Sequence, residues 1–183
     1  MKTLLFLFVL ATLSVYCLPL NRNSSFSTLR EPARIILRDS ALAITLEATR
    51  SGADWVISSG NPGNYLCAVA KTAFNLSPAG SFQAITLVFA PSFEKGALAG
   101  VAPAEGNLKI PVGVVYALEG QLDGVYSLKA EEKHTCTSAP CSCCDFVKRE
   151  DGTIKGCKCI FDNDCQHHPG DSNRCDHTVT TGG

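Results

Sequence analysis

The sequence predicts a mainly β protein: an antiparallel sandwich or barrel-like domain followed by a small disulfide-rich module. Three observations carry that expectation. Apolar residues alternate with a period of two through the middle of the chain. Turn-forming Gly, Pro, Asn and Asp clusters punctuate the alternation. Eight cysteines crowd into the last third of the chain.

The chain opens on Met1-Lys2 and runs apolar from Leu4 to Leu13, broken only by Thr12. One early positive charge, a short apolar core and then small residues make a secretory signal peptide, here residues 1–17 with cleavage after Cys17. The apolar run is too short to span a bilayer, which needs roughly twenty such residues. Residues 18–32 read as a flexible polar segment containing Asn23-Ser24-Ser25, an N-glycosylation acceptor pattern.

From 33 to 130 the alternation defines the β domain. Leu42, Ile44 and Leu46 share one parity, and Ile110, Val112, Val114, Tyr116 and Leu118 share one parity of another run. Arg34–Arg38, Trp55–Ser58, Tyr65–Thr72, Phe82–Phe89 and Val125–Ala130 are further strand candidates, although the alanines in Tyr65–Phe74 also suit a single helix. Ser51-Gly52, Gly60-Asn61-Pro62-Gly63, Ser77-Pro78-Ala79-Gly80 and Asp123-Gly124 are the turns between them. Val112–Leu118 and Val125–Ala130 pair as a hairpin. Pro111 demotes its strand to an edge or a bulge, because proline has no N–H for a ladder. Asn75-Leu76-Ser77 is a second glycosylation pattern, with Pro78 directly behind it.

The composition changes near Glu131-Glu132-Lys133, and residues 131–177 form the cysteine module, followed by a tail at 178–183. Its cysteines are Cys136, Cys141, Cys143, Cys144, Cys157, Cys159, Cys165 and Cys175. In a secreted segment too small for its own core they form a disulfide framework. Asp151-Gly152 favours a tight two-residue turn. That turn sets Glu150 against Thr153, Phe146 against Cys157 and Cys144 against Cys159, and suggests a Cys144–Cys159 bridge. Thiolate zinc would need a reducing compartment, so His134, His167, His168 and His177 do not by themselves imply a metal. Asp162-Asn163-Asp164 lacks the glycine and glutamate of a calcium loop.

The net charge of −1 recruits neither nucleic acid nor an anionic membrane surface. No Gly-X-Ser-X-Gly, His-Glu-X-X-His or phosphate-binding glycine loop is present, so no enzyme and no cofactor is implied. Cys67 stands apart from the histidines and reads as a buried thiol in a strand. The function expected is extracellular binding or structure: the β domain is the scaffold and the cysteine module presents loops to a protein or other ligand. The alternative is a serine-protease inhibitor or toxin-like effector acting through Lys148-Arg149 near the hairpin tip.

Overall fold

The structure is a computed structural model and describes residues 31–104, 108–139, 141, 143–160 and 174–182. The segment expected as a signal peptide, Asn23, Cys165, His167, His168 and Asp162-Asn163-Asp164 lie outside the described residues.

Three strands come first: β1 (Arg34–Asp39), β2 (Ile44–Ser51) and β3 (Asp54–Ser59). A helix, α1 (Pro62–Phe74), precedes β4 (Gln83–Phe89), β5 (Lys95–Pro103), β6 (Lys109–Leu122) and β7 (Val125–Ala139). They form one mainly β, nearly closed sheet in the order β3-β2-β1-β7-β6-β5-β4. Its neighbours are antiparallel, except that β1 and β7 run parallel. Side chains close the gap between β3 and β4, where the Trp55 ring meets Phe89 edge-on at 5.4 Å and Phe93 at 6.0 Å.

The segment Tyr65–Thr72 is helical and not a strand. Gly60-Asn61-Pro62-Gly63 is the start of that helix: the Asn61 side chain accepts the Asn64 N–H at 3.0 Å, and Pro62 occupies the first turn, where its missing N–H costs nothing. Asn75 ends the helix in the left-handed conformation at φ 53°. Tyr65, Leu66, Val69 and Ala70 pack into the concave face of the sheet against Ile35, Leu46, Leu98, Val114 and Leu128. The alternation on β6 holds from Ile110 to Tyr116; Leu118 stays in register opposite Leu128 but is exposed, and the ladder shifts just beyond it.

β6 is a central strand, so Pro111 is not at an edge. The β6–β7 ladder begins one residue later, at Val112 opposite Thr135. The Pro111 carbonyl accepts the Thr135 hydroxyl at 2.9 Å. Its missing N–H therefore falls at the end of the ladder, where no bond is lost.

The composition change at Glu131 is not a break in the chain. β7 crosses it, pairing with β1 through Lys129 and with β10 (Arg174–Thr181) from Glu132 onward. Thr178–Thr181, expected in a tail, are the second half of that strand.

One charged pair lies inside the sheet. Asp39 accepts from Lys133 Nζ at 3.0 Å and from the Tyr65 hydroxyl at 2.8 Å, while its second oxygen takes the Leu42 N–H at 3.1 Å. Tyr116 adjoins Tyr65, and burial pushes both phenols far above their ordinary pKa, so both stay protonated and able to donate.

Candidate functional site

The outer wall of β5, β6 and β7 carries a second apolar layer. β8 (Cys144–Lys148) and β9 (Ile154–Cys159) form a two-stranded hairpin that lays Phe146 and Ile154 on Ala97, Ala99 and Val115. Gly113 on β6 makes the room, because a Cβ there would come within 2.4 Å of Ile154 Cδ1.

Cys144 does face Cys159, and Phe146 faces Cys157. The turn, however, holds three residues. Arg149 N–H donates to Thr153 O at 2.7 Å and Gly152 N–H to Arg149 O at 3.0 Å, with Gly152 at φ +81°. This is the three-residue loop with a left-handed glycine. A bulge at Lys155 then restores the two-residue register, so the pairing below the tip is unchanged.

The bridges differ from the one expected. Cys144 joins Cys175 on β10, Cys159 joins Cys141, and Cys157 joins Cys136 on β7. Cys143 is also disulfide-bonded. The Cys144–Cys159 bridge is absent because each cysteine on the hairpin's inner face meets a cysteine from outside the hairpin. Both strands are thereby fixed, β8 to β10 and β9 to β7. Among the described residues the one group of three metal-ligand candidates is Cys141, Cys159 and Cys175, and all three sulfurs are committed to disulfides.

Lys148 and Arg149 are exposed, but neither projects freely. Lys148 Nζ lies 3.4 Å from Thr86 Oγ1 on β4. The Arg149 guanidinium turns back to donate to Ile154 O at 2.6 Å and to Thr153 Oγ1 at 3.3 Å. Asp151 accepts both the N–H and the hydroxyl of Thr153, which hold its carboxyl below the usual range. The tip rests on the wall: a Cβ at Gly152 would stand 2.4 Å from Val88 Cγ1. Gly152→Ala is accordingly expected to destabilise by about 2–4 kcal/mol, combining left-handed strain with overpacking. Gly124→Ala has a similar φ of +79° and no neighbour within 4 Å, and is expected to show the strain alone, about 1–2 kcal/mol. Urea unfolding of the two variants measures the difference; equal losses would mean the tip does not press on β4.

Sequence reasoning noted the clustered histidines but missed their arrangement, which depends on the pairing of β7 with β10. His134 is buried, and its Nδ1 lies 3.0 Å from His177 Nε2 with the ring planes 13° apart. That separation is too short for two ring faces in contact; it is an in-plane N–H···N bond joining the rings end to end. On the far side, His134 Nε2 is 3.2 Å from a Glu132 oxygen, a charge contact without the alignment of a hydrogen bond. Burial first, and then the charge of His177, lowers the His134 pKa; Glu132 opposes them. Burial and Arg149 lower that of His177.

Cys67 is on the helix, half-buried and free, and borders a groove of about 480 Å³ with Asn61, Pro78 and Phe82. No described histidine borders it. Asn75 is exposed at the helix end.

Fold and site together define a nearly closed β sheet plugged by one helix and braced on its outer wall by a disulfide-bonded hairpin. Comparison with protein-family models, curated proteins and solved structures yields no match.

Proposed function

We propose that the chain is a secreted extracellular binding or structural protein whose β sheet is the scaffold and whose hairpin presents the interaction surface. The observation that carries this reading is the separate bridging of both hairpin strands, β8 to β10 and β9 to β7. A surface fixed in this way loses little conformational entropy on binding. Its outward side carries Asp145, Val147 and Lys158, with Lys155 exposed at the bulge. The leader-like N-terminus and the disulfides support secretion, and no described helix is long and apolar enough to cross a membrane. Asn23 and Asn75 are the proposed glycan acceptors.

The protease-inhibitor alternative requires a basic side chain held out to the enzyme. The inward turn of Arg149 favours the scaffold reading over it. The test is expression through a eukaryotic secretory pathway. The expected product is in the medium, begins at Leu18 by intact mass, binds an extracellular-matrix preparation saturably and leaves trypsin activity unchanged. Double charge reversal, Lys155→Glu with Lys158→Glu, is expected to abolish the binding while the circular dichroism stays constant. Retention in the cell with free thiols would overturn secretion. Binding indifferent to the reversal would overturn the assignment of the surface.

A further inference from the structure

Among the described residues, β7 is the one strand paired with β10, in a ladder from Arg174 opposite Ala139 to Thr181 opposite Glu132. The His134–His177 bond crosses that ladder from the side of the sheet on which the hairpin lies.

We propose that Glu132, His134 and His177 form an acid-sensitive latch that holds β10 against β7. An in-plane N···N contact of 3.0 Å admits one proton on its axis. The Glu132 carboxylate beside His134 Nε2 favours the proton there, which makes His134 Nδ1 the acceptor and His177 Nε2–H the donor. His177 Nδ1 is then the open position. One added proton enters there and leaves the bond between the rings intact, with Glu132 as counter-charge. A second must enter at His134 Nδ1. It sets two N–H groups head to head between two cations.

The charges acting on the pair are Glu132 from β7 and Arg149 from the hairpin turn. Glu132 can offset one imidazolium; Arg149 adds to the repulsion once both rings are charged. Both histidines titrate below their ordinary value of 6.5 in the folded chain, so the unfolded chain binds more protons in the window beneath it. The latch contributes fully above pH 6.5, and its contribution is lost as pH falls through the lowered folded values. Because the Cys144–Cys175 bridge still tethers β10, opening is local and reversible.

Amide hydrogen exchange of the disulfide-intact protein, corrected for intrinsic rates, tests this at neutral and mildly acidic pH. Thr178 and Thr180, whose N–H groups share the parity of the Gly182 N–H that donates to Glu131 O, are expected to exchange about tenfold faster in acid, the change that one pKa unit of coupling produces. The His177→Gln side chain can still donate to His134 Nδ1 but takes up no proton, and is expected to remove the acid response while keeping the neutral protection. Nitrogen-15 imidazole spectra of the unmodified protein supply a second reading, with a protonated Nε2 and a bare Nδ1 expected at His134. Acid-independent exchange in the native protein, or an undiminished acid response in His177→Gln, would overturn the latch. So would independent titration of both rings at their ordinary value.

Discussion

Replacing Lys133 by methionine is expected to lower the unfolding free energy by about 3–5 kcal/mol, the usual cost of stranding one member of a buried ion pair. The side chains of Asp39 and Lys133 are 1% and 7% exposed, so water cannot take over the role of the missing ammonium. Methionine fills much of the same volume, which leaves the lost charge as the main change. Asp39 would keep its bonds from Tyr65 and Leu42 N–H, but these do not neutralise it. Adding Asp39→Asn removes the stranded charge and is expected to recover about half of the loss, by the coupling of neighbouring groups. Urea unfolding of the two variants checks both figures. A single-variant loss under about 1 kcal/mol would show that the pair is not held dry.

The second large effect is expected at the bridge between β8 and β10. Cys144→Ala with Cys175→Ala opens a link across 31 residues and is expected to cost about 3–4 kcal/mol on the chain-entropy account. The Cys136–Cys157 link closes 21 residues, and its removal is expected to cost slightly less. Thermal unfolding under non-reducing conditions measures both. Partial-reduction mapping checks the pairing directly, since the structure places Cys144 with Cys175.

The hairpin illustrates what the sequence could and could not reveal. Its register follows from the parity of Cys144, Phe146, Cys157 and Cys159 about Asp151-Gly152, and it survives the extra loop residue because the bulge at Lys155 compensates. Its disulfides depend on which strands lie beneath it, and local spacing holds no such information. β5 escaped notice for a related reason. Its Lys-Gly-Ala-Leu-Ala-Gly-Val run lacks the bulky alternation of a half-buried strand because both of its faces are covered, one by α1 and the other by the hairpin. Small residues are what the space allows: a Cβ at Gly100 would meet Leu66 at 2.9 Å, and one at Gly96 would meet Phe89 at 2.5 Å. The sequence leaves Tyr65–Phe74 open between strand and helix because Asn61-Pro62 is both a turn signal and a helix start; the structure makes it the helix. The histidine pair was visible only as composition, since residues 134 and 177 meet through a ladder between distant segments.

The bridge from Cys144 to Cys175 also determines how the chain carries tension. A pull applied beyond Cys175 is transmitted covalently to Cys144 and then along β7, bypassing the residues between the two cysteines. That loop would remain slack and withhold about 110 Å of contour length, at about 3.5 Å per residue. Releasing that length requires the Cys136–Cys157 and Cys141–Cys159 bridges to be reduced as well, because both tie the loop back to the segment before Cys144. Under load, the oxidised chain is therefore the shorter and stiffer tether.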